Sequence, residues 1–237
     1  MVRKDKNTRL RFIPNRDIEL AALKELQLNK PNAILAGVDE VGRGSLAGPV
    51  SVGIVLINAA TGDDFPQQLR DSKQISARIR ESLAAPCREW GLASAVGSAS
   101  ANQINQHGII QGLQLAAADA IAQLSSQGYK IDGVLLDGSH NWWSNPGLFN
   151  HGTQLPEVPV KTVVKGDAQC AVVAAASVIA KVCRDHYMEE IAEQYPQYDW
   201  VHNKGYSSAK HIAALSKYGV SEYHRTSWKL PGINSGV

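Results

Sequence analysis

Three short apolar runs, each closing on or leading into a carboxylate, constrain this chain more than any other feature. Ala33 to Val38 runs into Asp39-Glu40, Val134 to Leu136 ends at Asp137-Gly138, and Val158 to Val164 is followed by Lys165-Gly166-Asp167. Runs this short, bounded by turn residues, read as buried strands. Pro49 to Ile57 (PVSVGIVLI) is another, and the glycine-rich turn from Gly42 to Gly48 joins it to the first as a hairpin. Leu92 to Ser98 forms a further strand. An acid at the edge of a core costs free energy unless it is paired or bound to a metal. Several such acids together therefore ask for a chemical reason.

Helical periodicity fills most of the remainder. It covers Asp17 to Leu28 with Asp17 as N-cap, and Ser76 to Trp90 with Pro86 as a kink or break. It returns over Ile109 to Leu124, ended by Gly128, and over the alanine-rich stretch Ala168 to Gln194, stopped by Tyr195-Pro196. A last helix, Ser207 to Tyr218, stops at Gly219. Strands come first and helices after, so the fold class is α/β or α+β in one layered domain around a mixed sheet. The 237 residues are 44% hydrophobic with 20 glycines, a globular composition that excludes a disordered chain. No apolar run approaches the roughly 18 residues that a membrane-spanning helix needs. The start MVRKDKNTRLRF has no apolar stretch behind it and does not read as a secretory signal. Cys87, Cys170 and Cys183 are odd in number and form no CxxC pair, which argues against disulfides or structural zinc and for free thiols in a reducing cytoplasm.

The net charge of +2 hides an uneven distribution. Residues 1–16 carry six Lys/Arg against one acid, and residues 201–237 carry five against one. The middle, 17–200, carries 13 basic and 20 acidic residues. Basic ends suit a polyanionic partner, or are simply solvated termini. The acidic middle repels a nucleic acid unless divalent cations neutralise it.

Each acidic position has an ordinary explanation. Asp39 can cap a turn with Glu40 solvated, Asp137-Gly138 is a turn signal, and Asp167 can cap a helix. Consecutive strand residues also face opposite sides, so Asp39 and Glu40 do not simply point the same way. Together, four carboxylates at one sheet edge have no simple stability rationale, because like charges repel. Hard oxygen donors in that arrangement suit Mg²⁺ or Mn²⁺, and two such ions about 4 Å apart hydrolyse phosphodiesters. Gly42-Arg43-Gly44 follows the first pair, giving close backbone approach and an arginine fork for phosphate, or merely a turn. There is no P-loop and no complete GxGxxG fingerprint. The C-terminal segment mixes His202, Lys204, Tyr206, Lys210, Tyr223, His224, Arg225 and Trp228, which suits phosphate contacts with stacking, or a solvated face over core aromatics. Trp142-Trp143 lie in a polar loop, as a core cap or a partner patch.

The combination resembles ribonuclease HII, the type 2 ribonuclease H family. The stretches that carry the resemblance are GVDEVGRGSLAGPV (37–50), DSK (71–73), LLDGS (135–139), VVKGDAQC with AAASVIAKVCRD (163–185), and NKGYSSAKHIAALSKYGVSEYHRTSW (203–228). They span residues 33–230 in the family's order. The resemblance implies a ribonuclease H-like fold, a mixed central sheet flanked by helices with a helical C-terminal part. It implies a basic arm and short helix over 1–32, a catalytic domain over 33–230 and a tail over 231–237.

It also implies that Asp39, Glu40, Asp137 and Asp167 are catalytic and bind two Mg²⁺ or Mn²⁺ ions, with Asp185 a rival for the fourth place. It makes Gly42, Arg43 and Gly44 the readers of a ribose 2′-hydroxyl and its phosphate, and Tyr206 a platform stacked on the following deoxyribose. Lys73, Arg184, His224 and Arg225 become candidate phosphate contacts. Expected substrates are RNA–DNA hybrids and duplex DNA containing ribonucleotides, cut by a cytoplasmic monomer with no membrane partner. Ser139 to Trp143 departs from the more usual Asn-Arg after the acid, and no QxxLxxFF clamp-binding peptide is present. The rival readings are a junction resolvase or recombinase of the same broad fold, and a non-catalytic nucleic-acid-binding protein.

Overall fold

The computed structural model describes residues 13–70, 72, 75–144 and 155–233. Five strands form one mixed sheet: β1 (Leu35–Val41), β2 (Val50–Ile57), β3 (Ala93–Ala99), β4 (Gly133–Asp137) and β5 (Val160–Val163), in the order β3-β2-β1-β4-β5. β1 to β3 form an antiparallel meander, and β4 and β5 run parallel to β1. The expected hairpin is therefore present. The expected ribonuclease H-like arrangement of a mixed sheet with flanking helices is present too.

Alternation along the strands sorts the two faces. Ala36, Val38, Val52, Ile54, Leu56, Val134 and Leu136 pack beneath α3 (Ala101–Ser126). Leu35, Val55, Ile57 and Leu135 pack against α5 (Ala171–Ala192) and the flanking α1 (Asp17–Gln27) and α2 (Ala77–Trp90). The run Val173 to Ala176 in α5 is fully buried, and small side chains let the helix lie close. Gly37 and Gly53 complete that approach, since a Cβ on either would meet Val172 or the Ala176 carbonyl. The adjoining N-terminal segment packs onto this face as well. Glu19 is buried, accepts from the Val172 amide at 2.9 Å, and is held at 2.7 Å by Arg16. It so satisfies one of the orphan donors at the start of α5.

Several boundaries differ from those expected. Asp17 lies inside α1, not at its cap; Asn15 Oδ1 accepts from the Asp17 amide at 3.0 Å instead. Helix α2 continues through Pro86, which is exposed, so the carbonyl it leaves unbonded faces water. Helix α3 starts at Ala101, not Ile109, with a capping box between Ser100 and Gln103. Gly108, at φ 79°, breaks its regularity, which is why apolar periodicity resumes only after it. The long helix expected from Ala168 is two: α4 (Gly166–Gln169) and α5, separated by Cys170 in extended conformation.

A third core cluster closes the C-terminal part. A 3-10 turn (Pro196–Tyr198), α6 (Trp200–Asn203) and α7 (Ala209–Tyr218) pack their aromatics against Leu46, Ala47 and Met188. This cluster backs the loop from Gly42 to Gly48. Cys87 and Cys170 are buried and Cys183 is exposed, all three unbridged. Burial pushes the first two thiols up to about 12. Among the described residues no helix is long and apolar enough to cross a membrane.

Candidate active site

The register of β1 on β4 decides where the carboxylates go. Gly37 pairs with Leu135 and Val38 with Leu136, so Asp39 and Asp137 stand one step beyond at matched ends of neighbouring parallel strands. Paired residues in a parallel ladder share a face, and adjacent strands lie about 4.8 Å apart. Both acids thus sit on the α5 face at one edge. Glu40, next along β1, turns to the opposite face.

Asp39 is buried and its Oδ1 accepts from the Glu40 amide at 2.7 Å. Burial, then the neighbouring charges of Asp137, Glu40 and Asp167, push its carboxyl well above the usual range, against a hydrogen bond from Ser177 of α5. The Ser177 hydroxyl lies 2.8 Å from that of Ser72, which ties α5 to the loop before α2. Asp137 Oδ1 accepts from the amides of Gly166 at 2.6 Å and Asp167 at 3.4 Å. Lys165 reaches that turn in the left-handed region at φ 56°. The Lys-Gly-Asp turn therefore brings Asp167, itself buried, up to Asp137. Asp185 stands elsewhere, paired to Lys181 one turn back on α5 and to Arg80 at 3.6 Å.

Glu40 carries a donor on each oxygen. Arg43 reaches Oε1 at 3.0 Å, and the Trp142 indole N–H donates to Oε2 at 3.2 Å. Among the described residues no group of three or more His, Cys, Asp or Glu side chains forms a ready-made metal site. The donor set itself fits a hard divalent cation: it consists of carboxylates, and the buried Asp39 suffers from its neighbours' charge.

Next to this edge lies the glycine-flanked arginine. Gly42 sits at φ +80°, and a Cβ there would run into the Arg184 guanidinium. Gly44 is exposed, and a Cβ on it would meet nothing in the chain, so its bareness serves no internal packing. The Gly42 amide donates to the Tyr206 hydroxyl at 3.2 Å, which sets the half-exposed tyrosine ring beside the turn.

The expected phosphate contacts divide differently. Lys73 lies outside the described residues. Arg184, His224 and Arg225, expected as phosphate contacts, are buried, with their polar atoms turned to groups of the chain itself. Arg184 donates to the Pro49, Ala47 and Lys204 carbonyls and to Ser45 Oγ. Arg225 donates to the carbonyls of Gly42, Arg43 and Gly48. The two guanidiniums hold the turn from behind. Sequence reasoning took arginine as a surface cation and gave no sign of this.

His224 belongs to a buried polar chain. Its Nδ1 accepts from the Ser221 amide at 2.8 Å, so Nε2 carries the proton and faces His211 Nε2 at 3.1 Å. His211 Nε2 also accepts from the Trp200 indole, and its Nδ1–H donates to the Tyr206 carbonyl. Both rings must be neutral for this pattern. Burial and His211 pull His224 down to about 4. The unfolded chain takes up that proton as pH falls through about 6.5, and the folded chain does not. The part of the stability that His224 contributes is thus complete above about pH 6.5 and is lost, by at most ~3 kcal/mol, on the way to about pH 4. The carboxyls of Asp39 and Glu19, raised by burial, act the other way, so the check is a difference: between pH 7 and 4.5 the wild type should lose more melting temperature, or gain less, than His224→Gln does.

Comparison with known proteins follows the same lines. The family model described as Ribonuclease HII matches residues 36–231. A ribonuclease HII from Wolbachia sp. subsp. Brugia malayi is 40% identical over 87% of this chain and 93% of its own length. The ribonuclease H2 crystal structure from Pyrococcus horikoshii OT3 superposes with TM-score 0.67 at 25% identity, covering 84% of this chain and 95% of that one. Bst-RNase HIII in complex with Mn²⁺ shares the fold, with TM-score 0.62 at 18% identity over 86% of this chain and 69% of that one.

Proposed function

This chain belongs to the ribonuclease HII family and is a ribonuclease H endonuclease; on that premise we propose that it hydrolyses the RNA strand of RNA–DNA hybrids and cuts 5′ of single ribonucleotides in duplex DNA, leaving 3′-hydroxyl and 5′-phosphate ends. Its role is the removal of misincorporated ribonucleotides and RNA primers in the cytoplasm. The observation that carries this reading is the matched position of Asp39 and Asp137 at parallel strand ends, with Gly42-Arg43-Gly44 directly behind.

Asp39, Glu40, Asp137 and Asp167 would hold two Mg²⁺ or Mn²⁺ ions, which when bound supply an activated water and charge neutralisation at the leaving 3′-oxygen. The Mn²⁺ complex of the RNase HIII relative supports that choice of ion. The protein's own groups do the positioning. The amides of Gly166 and Asp167 orient Asp137, and the Glu40 amide orients Asp39. Open space at Gly44 lets backbone approach a ribose, and a 2′-hydroxyl is what separates RNA from DNA there. Arg43, about 40% exposed, has an end free to reach phosphate. The Tyr206 ring offers a stacking surface for the next sugar.

The test is cleavage of labelled DNA duplex holding one ribonucleotide, with Mg²⁺, Mn²⁺ or EDTA, beside all-DNA, hybrid and four-way junction duplexes. Metal-dependent cutting 5′ of the ribonucleotide is expected. Cutting of the junction but not of the ribonucleotide-containing duplex would overturn the reading.

A further inference from the structure

The polar loop after Asp137 returns a side chain to the site. Trp142 is wholly buried between the sheet and α3, and it is 102 residues from Glu40 in sequence. Its indole N–H donates to Glu40 Oε2 at 3.2 Å. The ring is itself fixed: Gln114 Nε2 donates to the Trp142 carbonyl at 2.9 Å, and the Trp142 amide donates to the His140 carbonyl at 3.0 Å. Trp143, beside it at 6.1 Å, turns its N–H away to the Pro156 carbonyl.

We propose that Trp142 is a positioning residue for Glu40: its indole N–H fixes the carboxylate for a divalent cation without neutralising it. An indole N–H is a donor only and carries no charge. It can therefore hold one oxygen and leave Glu40 anionic. Arg43 on the other oxygen is the more exposed partner, 41% against 15% for Glu40, so its guanidinium has solvent on one side and room to swing toward substrate. The buried donor persists when that pair opens. Partners that orient a metal-binding side chain from behind are worth about 10–100-fold in metal affinity.

This inference rests on the carboxylates binding Mg²⁺ or Mn²⁺, and the experiment separates the two. Isothermal titration with Mg²⁺ on the wild type tests the premise. The indole N–H resonances of ¹⁵N-tryptophan-labelled protein test the proposal. One indole resonance should move both with Mg²⁺ and with Glu40→Gln. Trp142→Phe, which keeps an aromatic ring, should remove that resonance and weaken Mg²⁺ about tenfold, with the substrate KM unchanged; Trp143→Phe should do neither. If the wild type binds Mg²⁺ but no indole responds to Glu40→Gln, the proposal fails. It also fails if folded Trp142→Phe binds Mg²⁺ as the wild type does. Should Trp142→Phe not fold, the wild-type and Glu40→Gln spectra decide alone.

Discussion

Asp137→Asn is expected to lower the single-turnover cleavage rate by at least about a thousandfold, ~4 kcal/mol of transition-state stabilisation, without loosening the fold. Asparagine keeps the size of the side chain and one carbonyl oxygen. That oxygen can still accept from the Gly166 amide, now at 2.6 Å from Asp137 Oδ1, so the Lys-Gly-Asp turn keeps its anchor. What disappears is one negative charge next to Asp39, a buried carboxyl that this charge already disfavours. In EDTA the variant should therefore melt no lower than the wild type. With Mg²⁺ the wild type should gain stability by mass action and the variant should gain much less. Cleavage rates and melting curves, each with and without Mg²⁺, check both halves. A variant cutting at near wild-type rate would remove Asp137 from the catalytic set.

The strands and their acids were legible because both follow from local pattern. An apolar run ending in an acid marks a strand end, and period-two alternation separates Asp39 from Glu40. The shared face of Asp39 and Asp137 needs the register of β1 on β4, which pairs Val38 with Leu136 and lies beyond any single segment. Some missed features did leave a signal. Ser100 followed three residues later by Gln103 is a capping-box pattern, and it marks the true start of α3. The break at Cys170 had none that the alanine-rich run did not drown. The Trp142–Glu40 contact and the Ser72–Ser177 contact join residues 102 and 105 apart, and no spacing rule reaches that far. The arginines misled for a different reason: side-chain type predicts surface, and only the packed carbonyls of a glycine-rich turn overrule it.

Arg225 separates those two views of an arginine most sharply. As a phosphate contact, its removal would flatten the salt dependence of substrate binding by about one unit of slope and leave stability alone. The structure predicts the reverse. Arg225 donates to the carbonyls of Gly42, Arg43 and Gly48, and its guanidinium lies 4.8 Å from the Trp228 ring. Arg225→Ala leaves those carbonyls short of donors in a space water fills poorly. An unmet buried polar group costs about 1–3 kcal/mol, so a loss of ~3 kcal/mol or more is expected. For a chain of this size that is a fall in melting temperature of about 6–12 °C. Lysine should rescue little, since one ammonium cannot reproduce a fork that reaches three carbonyls. Because the turn carries Gly42 and Arg43, binding should weaken as well, but with the salt slope intact. Melting curves and salt titrations of Arg225→Ala and Arg225→Lys decide the matter: a flattened slope with unchanged stability would return Arg225 to the nucleic-acid surface.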